Sequence, residues 1–459
     1  MLDKEELNQE EIKNDKGQEN SMENSIVQEE EYIRLSEWNK ERALYIEVIN
    51  KEYKQGRFVG CMIGMILCLV LVAGSFLVFN VWDYFHKSGN ALKPTAEVSN
   101  LTDKNILQKV DGLQTLINSE FLYEADMNQL AEGMYAGMLA GLNDKYSVYY
   151  TKEEYNQLME GESGEYEGIG VAVAEDSKDG KIYIVSVYEG SPAAKAGLKS
   201  GDILEKVNGN DVKDRELDDV VNEIRNGETK TSKLSILRDK KAMEVEVTRE
   251  TVTVPSVAKT MLDDNIGYIG ISQFAMNTSE QFTAAYKELE EQGMEGLIID
   301  IRNNPGGLLT TVCDMLDSLL PEGLIMYEID KSGNRQEQLS DADYMLKVPM
   351  AVLVNENSAS ASEVFSGVVQ DYKIGTIVGT TTFGKGVVQN IYPLNDGSAV
   401  KLTVEKYYTA KGQDINGKGI TPDVVCEVPE KLKEQVTFAY KDDVQLHKAE
   451  ETVKKQIKK

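Results

Sequence analysis

Hydrophobic and polar positions change rhythm several times along the chain. Residues 1–57 are polar, with 15 acidic and 9 basic side chains, and opposite charges alternate between Glu29 and Lys54. That pattern predicts a disordered stretch over 1–25, then a solvated helical or coiled-coil arm. Residues 58–82 run for 25 positions without one charge. A helix of that length spans roughly 37 Å at 1.5 Å per residue, enough for a hydrocarbon core about 30 Å thick. The run is too long and too far from the start to be a cleavable signal. Lys51, Lys54 and Arg57 precede it while Lys87 and Lys93 follow. The expected topology is therefore a cytoplasmic N-terminus with the large C-terminal part outside. Beyond a linker at 83–100, apolar residues recur at Ile106, Val110, Leu113 and Ile117, then at Leu130, Met134, Met138 and Leu142. The spacing predicts a helical region over 101–164 whose Leu and Met stripe is core.

From Glu165 the period falls to two. Residues 182–187, 234–238 and 243–247 alternate, as half-buried strands do. After residue 254, apolar runs at 266–271, 296–301, 350–354 and 375–378 alternate with helical stretches at 279–292, after 307 through 320, and from about 359 to 372. This βαβ rhythm predicts a parallel sheet, with ligands gathered beyond the carboxyl ends of its strands. Three loops then converge on one edge: 303–307, 355–363 and 381–386.

Composition narrows the chemistry. The chain has 459 residues, a net charge of −28, and two histidines, His86 and His447. One follows the apolar run and the other lies in a charged C-terminal segment. Zinc hydrolases and Ser-His-Asp hydrolases are thereby excluded, since both need imidazole in the folded core. The acidic balance argues against nucleic acid, whose phosphates are bound by clustered Lys and Arg. Cys61 and Cys68 fall inside the apolar run, which leaves Cys313 and Cys426 as two expected buried thiols rather than a disulfide scaffold.

Within the alternating region, residues 191–209 read SPAAKAGLKSGDILEKVNG, which resembles the central stretch of a PDZ domain. The resemblance implies that Gly168, Ile169, Gly170 and Val171 form the loop whose backbone N–H groups receive a peptide's C-terminal carboxylate. Glycine at 168 and 170 lets amides turn inward without a Cβ. A bound peptide then adds a strand to the sheet edge.

The three converging loops carry the candidate catalytic groups. Glycines in Asn303-Asn-Pro-Gly-Gly307 permit exposed N–H groups at a helix start, suited to an oxyanion. The second loop places a hydroxyl where a strand turns into a helix. The third brackets Lys385 between two glycines. A serine needs a base at neutral pH, and Lys385 is the candidate because apolar burial lowers a lysine pKa. Gln389 is spaced to orient the amine. ENSASASE followed by TFGKGVVQ, with RNNPGG upstream and a PDZ domain before both, resembles the C-terminal processing peptidases (tail-specific proteases). The resemblance implies a Ser360 nucleophile with Lys385 as general base, 385 − 360 = 25 positions on. It makes Gln389 the assisting glutamine and gives an oxyanion hole from Ala361 N–H with that of Gly306 or Gly307. Ser358 and Ser362 are left with helix-start hydrogen bonding and packing. LAEGMYAGMLAGLNDKYSVYYTKEEY also resembles the helical N-terminal part of that family.

These readings give an α/β (α+β) multidomain chain. An acidic arm (1–57), a transmembrane helix (58–82), a linker (83–100) and a helical region (101–164) come first. A PDZ domain (165–252) then stands before a crotonase/ClpP-like βαβ protease core (253–430) and a charged helical tail (431–459). The expected activity is a membrane-anchored serine endopeptidase cleaving polypeptides near their C-termini, without metal or cofactor. The PDZ and protease parts are expected outside the cytoplasm, and the helical regions suit a homodimer. Two rivals remain: a non-catalytic anchored PDZ receptor for protein C-termini, and an acyl-thioester enzyme whose Gly-Gly loop serves an enolate.

Overall fold

The computed structural model describes residues 100–176, 180–341, 343–430 and 440–458. The acidic arm and the apolar run 58–82 lie outside the described residues. Among the described residues no helix is long and apolar enough to cross a membrane. They fall into two compact units, 100–149 and 150–458.

The first unit holds α1 (Lys104–Glu120) and α2 (Met127–Ala140). The Asp126 carboxylate caps α2 by accepting from Asn128 N at 2.8 Å. The apolar stripe expected to be core is not: Leu113, Leu130, Met134, Met138 and Leu142 are all exposed. Two helices bury an apolar stripe only against a further layer. The helical reading over 101–164 is also interrupted, by the short strand β1 (Val148–Tyr150). Helix resumes at α3 (Lys152–Ser163), where Thr151 and Glu154 form a capping box.

The PDZ module begins with β2 (Glu165–Gly168), which pairs with β9 (Glu250–Thr253). Between them, β3 (Val171–Glu175), β4 (Ile182–Val187), β5 (Ile203–Val207), β7 (Thr231–Arg238) and β8 (Lys241–Thr248) form one antiparallel sheet in chain order, with β6 (Asn210–Asp211) beside β5. The short helix α4 (Pro192–Lys195) and the amphipathic α5 (Leu217–Asn226) cover it. Ile182, Ile184, Leu204, Val220, Ile224, Leu234 and Ile236 meet in its core, which explains the period of two read from the sequence. Asp202, fully buried, chelates Arg238 at 2.6 Å through both carboxylate oxygens.

Residues 253–430 build a second layered core. Its sheet runs β10 (Val257–Leu262), β11 (Ile266–Ile271), β12 (Gly296–Asp300), β15 (Met350–Val354), β16 (Thr376–Gly379) and β19 (Val424–Val425). All pairs are parallel except β10 with β11. Helices α6 (Thr278–Glu291), α7 (Leu309–Asp317) and α8 (Ala361–Tyr372) pack on one face, against Leu297, Ile299, Val352 and Val354. The opposite face presents Ile298, Ala351 and Leu353. A sheet covered on both sides needs unbroken apolar strands, as seen. A separate antiparallel sheet pairs β14 (Arg335–Ser340) with β13 (Gly323–Asp330), β13 with β18 (Ala399–Thr409), and β18 with β17 (Val387–Pro393).

The charged tail read at 431–459 contains, among its described residues, a helix α9 (Val444–Ile457). Its Leu446, Ala449 and Val453 are buried against the second face of the parallel sheet. The helix is thus a layer of the core, with Glu451 and Lys455 turned outward and Glu450 buried, its carboxylate accepting from the Tyr440 hydroxyl at 2.5 Å. His447 sits on it, 3.5 Å from Glu450 and edge-on to Tyr440. Cys313 is buried and Cys426 half-buried, and both are free.

Candidate active site

Three neighbouring strands, β12, β15 and β16, deliver the three loops anticipated from the sequence to one edge of the sheet. The loop after β12 is anchored from below. Arg302 donates to both oxygens of Asp300, to both oxygens of Asp443 and to Gln445. Burial alone would lower the Arg302 pKa, but Asp300 and Asp443 outweigh it and hold the guanidinium well above its ordinary value. Above this anchor, Gly306 passes so close to the serine loop that a Cβ would lie 2.9 Å from Ser360 Cβ and 2.8 Å from Ala359 O. Any side chain there would push the loops apart.

The serine loop resolves three neighbours. Ser358 and Ser362 are fully buried. Ser358 Oγ donates to Ile301 O at 2.8 Å, and Ser362 Oγ to Asn304 O at 2.9 Å, so both brace the loop after β12. Ser360 is half-buried, at the N-cap of α8, with a positive φ of 56°. A positive φ is uncommon outside glycine and marks a backbone held by its surroundings.

What holds it is Glu363, a residue the sequence reading passed over. Its fully buried carboxylate accepts from Ser360 N (2.9 Å), Lys385 N (2.8 Å), Gly384 N (2.7 Å) and Thr382 Oγ1 (2.6 Å). Burial pushes its pKa up, and these donors restrain the rise. One side chain thus joins the serine loop to the lysine loop. The signal was present: Ser360 and Glu363 have the S-x-x-E spacing of a capping box. The lysine loop is zipped in turn to residues 415–419, with Gly417 N donating to Gly384 O at 2.8 Å.

Gln389 lies on β17 and donates to Val387 O and Thr403 Oγ1, each at 3.3 Å. Of the two candidate oxyanion glycines, Gly306 N already donates to Asn304 Oδ1 at 2.9 Å. The parallel bridge between Phe274 and Gly307 uses Phe274 N to Gly306 O and Leu308 N to Phe274 O. It leaves Gly307 N outside the ladder, and Gly307 is exposed.

In the PDZ module, Ala193 N donates to Ile169 O (2.8 Å), Tyr188 N to Gly170 O (3.0 Å) and Ser191 Oγ to Gly170 O (3.2 Å). These bonds tie down the carbonyls of Ile169 and Gly170. The Tyr166 ring lies over Gly168, where a Cβ would collide with it. Burial raises the Tyr166 pKa, countered first by Arg225 and then by the N–H groups of Gly170 and Val171 facing its phenol oxygen. Arg225 sits 5.1 Å from the ring centroid and is ion-paired to Glu160. The PDZ entrance is bonded to the protease body: Met276 N donates to Glu162 O (2.8 Å) and Asn277 Nδ2 to Gly164 O (2.9 Å).

A PDZ module set before a sheet whose strand ends carry a serine loop, a lysine loop and a diglycine loop defines a peptidase that reads chain ends. Comparison with known proteins agrees. Residues 265–426 match peptidase family S41, 183–238 a PDZ domain, and 69–154 the N-terminal domain of the activating protease CtpB. The chain is 33% identical over 380 residues to a probable CtpA-like serine protease of Staphylococcus aureus (strain COL), covering 82% of this chain and 73% of that one. It is 34% identical over 364 residues to the carboxy-terminal processing protease CtpB of Bacillus subtilis (strain 168), covering 78% and 75%. A solved photosystem II D1 C-terminal processing protease shares 30% identity over 70% of this chain and 88% of its own, with a TM-score of 0.42. The chain belongs to peptidase family S41. It is a serine-type C-terminal processing peptidase.

Proposed function

We propose that Ser360 is the nucleophile and Lys385 its general base. The observation that carries this reading is the single carboxylate oxygen of Glu363, which accepts from the amides of both residues. Ser360 is also the one serine of its loop not committed to bracing. Lys385 takes the Ser360 proton as the hydroxyl attacks the scissile carbonyl, then returns it to the leaving amine. Water hydrolyses the acyl-enzyme with Lys385 again accepting a proton. Gly307 N and Ala361 N stabilise the tetrahedral oxyanion, a choice supported by the prior engagement of Gly306 N. Gln389, turned by Thr403, presents its amide to the Lys385 amine when substrate closes the site.

The PDZ loop 168–171 takes the substrate's C-terminal carboxylate, and the chain runs on to the strand ends. The charge-free run 58–82 supports a single membrane span, with the basic cluster before it favouring an extracytoplasmic protease. The exposed leucine and methionine stripes of α1 and α2 support pairing with a second copy.

The test is cleavage of a model protein carrying an apolar C-terminal tail. Ser360→Ala and Lys385→Ala are expected to abolish cleavage while still binding the tail. Cleavage by the serine variant at the wild-type rate sinks the reading. Unimpaired tail binding by a wild-type protein that never cleaves would favour the receptor alternative.

A further inference from the structure

Ser360 and Lys385 are pinned twice. Their amides meet at Glu363 Oε2, at 2.9 and 2.8 Å. Their carbonyls meet at another atom, the phenol oxygen of Tyr407. That hydroxyl lies 3.1 Å from Ser360 O and within hydrogen-bond distance of Lys385 O. Tyr407 is buried in the core beneath α8, and its own N–H donates to Gly386 O at 3.3 Å. It comes from β18, an element of the antiparallel sheet, so it ties the two loops of the parallel sheet to a second sheet.

A phenol has one proton, which two carbonyls must share. Sharing is costly unless the geometry fixes both acceptors, so a hydroxyl placed only to satisfy itself would need one of them. Held at N–H by Glu363 and at C=O by Tyr407, each residue has the peptide planes on both sides of its Cα fixed. Those planes set where the Cα–Cβ bond points. At Ser360 they also hold a positive φ that relaxation would abandon.

We propose that Tyr407 is a positioning residue for the reaction, acting through the main chains of Ser360 and Lys385 to aim the hydroxyl at the amine. The proposal rests on the Ser360–Lys385 reading above.

Tyr407→Phe keeps the ring and its packing and removes the hydroxyl alone. The expected result on a tailed substrate is a fall in kcat of about 10- to 100-fold, the scale of a misaimed reacting group, with KM within about twofold. The rate of Ser360 phosphonylation by a fluorophosphonate, with loss of fluoride, should fall in parallel, with the unfolding temperature little changed. A wild-type kcat, or a loss no greater than the loss of folded protein, overturns the proposal. If the phenylalanine variant does not fold, 3-fluorotyrosine at 407 keeps size and hydroxyl but ionises at lower pH. It should then add a falling alkaline limb to the kcat profile, and a profile identical to wild type overturns the proposal. Ser360→Ala run alongside separates the two readings. An inactive serine variant beside a fully active Tyr407→Phe removes Tyr407 alone, whereas an active serine variant removes both.

Discussion

In the proposed function the PDZ loop at 168–171 and the protease loop at 303–307 both offer backbone N–H groups to an oxygen, and they are supported in opposite ways. The PDZ loop hangs on neutral bonds from Ala193, Tyr188 and Ser191, with a neutral phenol facing its amides. The protease loops rest on buried charge: Arg302 between Asp300 and Asp443, and Glu363 among four donors. Buried ion pairs add little net stability, but they punish displacement heavily. A capture loop has to yield to many tails. A cleavage site has to hold two side chains still through every turnover, and the costlier support is found there.

If that contrast is right, the protease supports should be the more damaging to cut. Glu363→Ala orphans donors on both catalytic loops, and about 100-fold should be lost from kcat with tail binding unchanged, read by steady-state kinetics and peptide binding. Arg302→Met leaves Asp300 and Asp443 facing one another. Stability should drop by about 3–5 kcal/mol, or roughly 10 °C in the unfolding temperature. A smaller and pH-dependent effect belongs to Glu328 on β13, paired in register with Tyr407. Burial and then Glu405 push its pKa from 4.5 up to about 7. The folded state therefore holds that proton more tightly than the unfolded state does. The stability it brings is complete below pH 4.5 and is lost as pH rises through 7. Glu328→Gln should exceed wild type by on the order of 2 kcal/mol at pH 8 and match it near pH 4, measured by thermal unfolding. The mildest change lies in the PDZ loop. Tyr166→Phe removes the phenol oxygen that competes for the Gly170 and Val171 amides, and tail peptides should bind about threefold tighter by calorimetry. Weaker binding would mean that the phenol helps hold the loop open.

Much of this was legible in the chain. Period-two runs marked the PDZ strands, and unbroken apolar runs marked the doubly covered sheet, because burial on one or both faces writes itself into the local pattern. The serine loop and Lys385 stood out because small residues and glycines crowd around them, and the family resemblance then singled out Ser360. The supports were hidden for a different reason. Asp443 meets Arg302 across 141 positions, and Tyr407 meets Ser360 across 47. Contacts of that range leave no local period, so α9 looked like a charged tail and nothing local marked Tyr407. The helical stripe at 130–142 erred in the other direction, since amphipathic spacing announces an apolar face without saying what covers it.

The order in which the chain is made gives the Arg302–Asp443 pair a further meaning. During synthesis the strand carrying Asp300 and the diglycine loop is complete long before α9 exists. Until Asp443 and Gln445 arrive, Arg302 has only the Asp300 side chain as acceptor and the face of the sheet that α9 covers is bare. The support beneath the cleavage site is thus completed only with α9, after the chain of the PDZ module has already been made.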